Sequence, residues 1–416
     1  MDSGFNKTSD SHISILATFG VSFFIWGLLT VLNFILIDHL RHIFHLSYSI
    51  STLIHLTFFS TYLIVSLPAG TLIKNWGYKL GLIIGLFTTG LGCMLFYFAI
   101  YLREYYFFLL ALAIQATGIT LLQVGANLYI VFFGSKDRAA SRLTMMQGLN
   151  ALGAFLAPVY NMHFFQQLFR LSEGSSAGIL DYSDIAMYVQ TPYIILSIVM
   201  YILTIFFVFV DIPEFNTEKI EPLNERQTAR RVHVMHFKQL RLGAFAIFAY
   251  LGAEVAIGSL LVNFFSGYTT YYWGAALVGR LIGAFLLLKV KPRKALAYCA
   301  AISTFLLLFS MLTFGLFSIW SMIGIGLFNS IMFPTLYVLG INGLGKFSEN
   351  GSAIMIMAFV GAGVIPFNTI NFAAAFGYKI GFVFPLVCYI YILYYALEGS
   401  KFKKREIAIH NLTTGN

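Results

Sequence analysis

The sequence predicts an all-α polytopic membrane protein of about twelve transmembrane helices in two six-helix halves. Three observations carry that prediction. Apolar runs of membrane-spanning length recur along the whole chain, basic residues crowd the loops of one side, and the second half echoes the first.

By length alone the 416 residues could form several soluble domains. Composition excludes that, because 59% hydrophobic and 10% charged residues, with a mean hydropathy of +0.80, belong in a bilayer. Crossing ~30 Å of hydrocarbon takes about 20 residues in a helix. Runs of that kind fall at 14–38, 50–73, 80–101, 105–133, 143–165, 190–210, 242–265, 270–288, 295–315, 317–345, 351–374 and 380–397. Backbone in contact with lipid must satisfy its own hydrogen bonds, so each run is expected to be helical.

With a cytoplasmic N-terminus, the inner loops hold Lys7, Lys74, Lys79, Lys136, Arg138, Arg142, Lys219, Arg226, Arg230, Arg231, Lys238 and Arg241. They also hold Lys289, Lys291, Arg293, Lys294, Lys346, Lys401, Lys403, Lys404 and Arg405. The outer loops keep only Arg41, Arg103, Arg170 and Lys379, and Arg280 stays inside the membrane. This asymmetry predicts a multi-pass protein of the inner (plasma) membrane with both termini cytoplasmic. It also gives the net charge of +9 a partner in the anionic leaflet of the lipid bilayer rather than in nucleic acid. The polar start, Met1 to Ser11, precedes an apolar run too long for a cleavable signal. Cys93, Cys299 and Cys388 all fall within spans, with no disulfide or zinc spacing.

The longest charged stretch, Asp211 to Arg241, divides an N-terminal half (1–210) from a C-terminal half with its tail (242–416), leaving 211–241 as a cytoplasmic linker. Gly153 precedes Pro158 by five residues in span 5, as Gly361 precedes Pro366 in span 11. Gly70, Lys74 and Lys79 after span 2 are echoed by Gly283, Lys289 and Lys294 after span 8. Parallel six-helix halves around a midplane site describe the major facilitator architecture. One loop departs from its usual G-x-x-x-D-x-x-G frame. Gly70 to Lys79 carries Lys74 and Asn75 where an acid is common, which puts the acid-mediated inner gate contact in doubt.

Polar amides gather in the first half. Gln123 and Asn127 are four apart on span 4, and Gln147 and Asn150 three apart on span 5, so each pair shares a helix face. Asn33 lies on span 1, with Asn263 and Asn329 on spans 7 and 10. An amide donates and accepts, as sugar hydroxyls require, although amides also join helices in membranes. Trp26, Tyr62, Phe264 and Trp273 are candidates to stack on a pyranose face.

Several blocks resemble one family closely: FFIWG at 23–27, GITLLQVGANLY at 118–129, QGLNALG at 147–153, VQTPY at 189–193 and GAEVAIGS at 252–259. So do YWG at 272–274 with VGR at 278–280, and FNSIMFPT at 328–335. The resemblance is to the L-fucose:proton symporter family, on the side of its glucose/galactose branch, and runs in order from about Phe23 to Tyr395. Gln123 and Glu254 are similar to that branch, since fucose symporters have Glu and Gln at those places. The resemblance implies sugar binding at Asn33, Gln123, Asn127, Gln147 and Asn150. Two departures stand out: Phe34 replaces the span-1 Asp associated with proton coupling, and Leu128 replaces a Pro after Asn127.

Coupling then has two candidate places. Asp38 lies one helical turn beyond Phe34 on the same face, beside His39, Arg41 and His42, where an acid is ordinarily solvated or paired. Glu254 and Arg280 lie thirteen residues either side of Gly267, so antiparallel spans 7 and 8 bring them to one depth. An ion pair there either fixes the two helices or titrates and releases Arg280. His39, His42 and His45 have no second cluster to complete a metal shell, and His55 is a lone polar residue in span 2.

The function expected is secondary uptake of a neutral hexose by alternating access, coupled to a proton or sodium ion, with no cofactor and the monomer as working unit. Uncoupled facilitation and a non-transporting sugar sensor are the alternatives. An enzyme is not expected, because the chain has no nucleotide loop and no paired catalytic acids.

Overall fold

The computed structural model describes residues 15–33, 53–102, 104–174, 182–213, 234–265 and 268–401, with backbone alone at 55, 100, 158–174, 182–189 and 262–264. Among the described residues the regular structure is helical throughout, without strands. The helices are α1 (Ile15–Asn33), α2 (Leu53–Trp76), α3 (Tyr78–Tyr101), α4 (Tyr105–Phe132), α5 (Ala139–Gly174) and α6 (Tyr182–Phe209). Next come α7 (Lys238–Phe264), which starts inside the linker expected at 211–241, then α8 (Thr269–Leu286), α9 (Pro292–Leu312), α10 (Leu316–Asn329) and α11 (Met332–Ile341). The chain continues through α12 (Ser348–Met357), α13 (Gly361–Phe376), α14 (Tyr378–Gly381) and α15 (Val383–Tyr394). Ten stretches among the described residues are long and apolar enough to cross a membrane. Helices α5 and α8 fall outside that set; they carry Arg142, Gln147 and Asn150, and Arg280.

Two expected spans are interrupted. The run 317–345 forms α10 and α11, parted at Ser330 and Ile331. Pro334 has no N–H to return to the Ser330 carbonyl, so the helical ladder stops one turn ahead of it. Hydroxyls add hydrogen bonds around the break: Ser330 Oγ donates to Leu327 O at 2.5 Å, and Thr335 Oγ1 joins its own backbone N–H on Ile331 O at 2.7 Å. The run 351–374 is likewise split into α12 and α13 by a tight turn at Ala358–Val360. Gly77, at φ +86°, turns α2 into α3 without a loop, a backbone conformation that suits glycine.

The glycine echo in the sequence has a geometric meaning. A Cβ on Gly153 of α5 would stand 2.0 Å from Phe24 O of α1, and one on Gly361 of α13 would stand 2.2 Å from Phe248 O of α7. Gly27 and Gly252 answer from the facing helices, with Asn150 O at 2.1 Å and Gly361 O at 3.0 Å from their notional Cβ positions. Spans 1 and 5, and spans 7 and 11, are therefore backbone-to-backbone pairs that small residues alone permit.

Contacts gather the chain into two compact units. One comprises Met1–Thr61, Leu82–Leu122 and Met146–Pro213, and the other Tyr62–Gly81, Gln123–Met145 and Glu214–Asn416. The second unit thus includes two stretches that precede the linker. Several contacts among the described residues join them to it. Ser141 Oγ donates to Ala284 O at 2.6 Å, and Ser352 Oγ to Val124 O at 2.7 Å. Gly70 lies so close to α12 that a Cβ on it would meet Ala353 Cβ at 2.7 Å.

Candidate functional site

In the second unit, Glu254 lies mid-way along α7 and Arg280 on α8, and Arg280 Nη2 stands 3.5 Å from Glu254 Oε1. Both are largely withdrawn from solvent, with 6% and 13% of their side-chain surface exposed. The juxtaposition expected from their spacing about Gly267 is met. The pair is loose: among the described residues neither Glu254 Oε1 nor Arg280 Nε makes a hydrogen bond. A buried ion pair offsets its desolvation only when good geometry and further hydrogen bonds complete it. This one is incomplete among the described residues.

A second chain of polar groups reaches the same turn of α7. Tyr389 Oη of α15 donates to Asn329 Oδ1 of α10 at 2.8 Å. Asn329 Nδ2 donates to Tyr272 Oη of α8 at 3.1 Å, and Tyr272 Oη donates to the backbone carbonyl of Glu254 at 3.0 Å. All three side chains are fully buried. Gly326 makes room for them, since a Cβ there would stand 3.0 Å from the Tyr272 ring.

The first unit holds a similar pin. Tyr193 Oη of α6 donates to Asn33 Oδ1 of α1 at 2.9 Å, and Asn33 Nδ2 donates to Gln115 Oε1 of α4 at 2.7 Å. Gln115 Nε2 in turn donates to Cys93 Sγ of α3 at 3.1 Å. The amides of Asn33 and Asn329 are thus engaged at both ends by protein. Asn150 Nδ2 donates to Phe23 O at 3.0 Å and ties α5 to α1.

Gln123 differs from these. It is buried, its Nε2 donates to Tyr62 Oη at 3.1 Å, and among the described residues its Oε1 receives a long 3.5 Å bond from Asn127 Nδ2. Tyr62 stacks on Phe359 at 5.4 Å between centroids, and Phe359 meets Phe333 edge-on, so an aromatic wall adjoins this amide pair. Gln147 is buried on α5. Of the other aromatic candidates, Trp26 is buried against Phe23 and Trp273 is partly exposed beside Tyr272. Phe34, Asp38, His39, His42 and His45 lie outside the described residues, as do the side chains of His55, Asn263 and Phe264.

The loop that lacks the usual acid is served by an acid from elsewhere. Glu349, at the start of α12, accepts a hydrogen bond from Tyr78 Oη at the start of α3, at 2.9 Å. A Cβ on Gly70 would stand 2.9 Å from Glu349 O, so the acid packs directly on the helix whose own acid is replaced. The acid that meets this turn thus comes from α12 rather than from the loop itself.

Sequence reasoning passed over Gln115, Tyr193, Tyr272, Glu349 and Tyr389. Tyr193 and Tyr272 lie inside the blocks that carry the family resemblance, a signal that could have marked them. Tyr389 had no such mark.

Comparison with known proteins agrees with this architecture. Residues 16–367 match the Major Facilitator Superfamily. A glucose/galactose transporter of Brucella abortus is 40% identical over 93% of this chain and 94% of its own length. The L-fucose-proton symporter of Escherichia coli is 28% identical over 93% of both. A crystal structure of the Escherichia coli fucose:proton symporter superposes with a TM-score of 0.80 at 26% identity, covering 94% of this chain and 100% of that one.

Proposed function

Because the chain belongs to the major facilitator superfamily, and within it to the glucose/galactose and L-fucose transporter family, we propose that it takes up a neutral hexose by alternating access, driven by a co-transported proton. The relatives' activities support the hexose and the proton. The observation that carries coupling in this chain is the buried, incompletely bonded Glu254–Arg280 pair. Protonation neutralises Glu254, removes its attraction for Arg280 and lets α7 and α8 shift, so a proton binds one arrangement better than the other. The groups that face Glu254 are Arg280 and Tyr272 of α8, Tyr250 one turn earlier on α7, and Tyr389 of α15.

Sugar hydroxyls fall first to Gln123 and Asn127, whose mutual bond is long enough to exchange for a ligand, and to Gln147. Asn33, Asn150 and Asn329 support the site through the helices they join, and Asn263 remains a binding candidate. We place both termini in the cytoplasm of an inner (plasma) membrane on the strength of the basic-residue asymmetry, with the monomer as the working unit. Halves 1–210 and 242–416 then rock about the linker 211–241, and the Tyr78–Glu349 contact latches the inner ends.

Purified protein in liposomes, with proton and sodium gradients imposed separately, tests the reading. Labelled glucose or galactose should accumulate with the proton gradient alone. Exchange of sugar without accumulation in either gradient identifies a facilitator, and binding without exchange a sensor. If Asp38→Asn abolishes accumulation and neutralising the Glu254–Arg280 pair does not, coupling belongs to span 1 instead.

A further inference from the structure

We infer that Tyr272 is a positioning residue for coupling, a fixed pivot that holds the Glu254 turn of α7 against α8 while the carboxylate opens and closes on Arg280. The inference rests on the reading of Glu254 and Arg280 as the coupling pair. It concerns three residues, Tyr272, Asn329 and Tyr389, that hydrogen-bond to one another and to the Glu254 backbone.

The direction of the chain is dictated by its end. A backbone carbonyl only accepts, so Tyr272 Oη must spend its hydrogen on Glu254 O at 3.0 Å. Tyr272 Oη is then left to accept, which it does from Asn329 Nδ2 at 3.1 Å. That fixes the orientation of the amide and leaves Asn329 Oδ1 as an acceptor, filled by Tyr389 Oη at 2.8 Å. Each group has one consistent assignment, and a buried network with every member satisfied is rigid. Four helices, α7, α8, α10 and α15, meet in it.

Helix α8 therefore grips residue 254 twice. Tyr272 holds its backbone, and Arg280, eight residues and about 12 Å further along the axis, holds its carboxylate. The backbone grip is neutral and does not change with protonation; the carboxylate grip is charged and does. With one end fixed, loss of the ion pair becomes a defined movement of the two helices. With both ends free, the same protonation is spent on local slack.

Removing the Tyr272 hydroxyl leaves the ring in its pocket and the Glu254 carbonyl still inside the helical ladder, so Tyr272→Phe is expected to fold. In liposomes we expect Tyr272→Phe and Tyr389→Phe to lower proton-driven sugar accumulation about tenfold, the scale of one hydrogen bond to a fixed group. Counterflow exchange, which needs no coupling, should stay within about twofold of the parent, and sugar affinity should not move. Tyr193→Phe, the matching change in the first unit, should not separate accumulation from counterflow. Accumulation and counterflow falling together in Tyr272→Phe, or neither changing, overturns the positioning role. The double variant Glu254→Gln/Arg280→Gln is measured alongside. If it still accumulates sugar, the coupling pair and this inference fail together. If it does not, and Tyr272→Phe behaves as the parent, only the positioning role fails.

Discussion

The pin of the first unit, Tyr193–Asn33–Gln115, and that of the second, Tyr389–Asn329–Tyr272, are built alike but end differently. Each begins at a tyrosine on the last span of its half, which donates to an asparagine Oδ1 at 2.9 Å or 2.8 Å. Each asparagine then passes a hydrogen bond to a second polar side chain. The first chain ends on the neutral Cys93 sulfur, and the second on the backbone of a glutamate paired with an arginine. One framework is thus used once as an uncharged brace and once as the mount of a charge. Among the described residues the first pin carries no charged group, whereas the second ends at the Glu254–Arg280 pair.

Changes made in parallel in the two units sharpen that contrast. The largest difference is expected at the charge. Glu254→Gln alone leaves Arg280 buried without its partner and should destabilise the protein by about 3–5 kcal/mol, seen as earlier thermal unfolding in detergent. No single change in the Asn33 pin should match it. Next come the glycine contacts, which the comparison predicts to be equal. Gly153→Ala and Gly361→Ala each push a methyl to within 2.0–2.2 Å of a carbonyl and should each cost about 1–3 kcal/mol, read in the same unfolding assay. A marked inequality would mean that the internal repeat does not extend to packing.

Smaller still is the inner latch. Tyr78→Phe removes one donor to Glu349, worth about 1 kcal/mol, and should speed hydrogen exchange at the start of α12 about fivefold. Cys93→Ser should be nearly silent in stability, within about 0.5 kcal/mol, because a hydroxyl accepts from Gln115 as the thiol does. The equivalent loss on the other side, of the Tyr272 hydroxyl, should not be silent in coupling.

Much of this was legible in the sequence, for physical reasons that differ by element. Glu254 and Arg280 could be paired in advance because antiparallel helices of equal rise bring residues equidistant from a turn to one depth. The Gly–Pro echo marked α5 and α13 because close backbone approach admits only small residues. The interruption near Ser330 was missed although Pro334 announces it, since the apolar run continues smoothly across the break. The Tyr389–Asn329–Tyr272 chain was hidden more deeply. The protein has 24 tyrosines, and this chain ends on a backbone carbonyl, a group every residue carries. Asn33 and Asn329 were expected as sugar-binding amides, but their engagement at both ends depends on partners far away in the chain.

The most direct test of the central claim, that the Glu254–Arg280 pair couples proton to sugar, is the ratio of proton-driven accumulation to counterflow in Glu254→Gln/Arg280→Gln. The double change removes both charges together and spares the protein an unpaired one. The account predicts that counterflow persists while accumulation falls to the level of equilibrated sugar. Accumulation equal to that of the parent would contradict it and leave the pair as a brace between two helices.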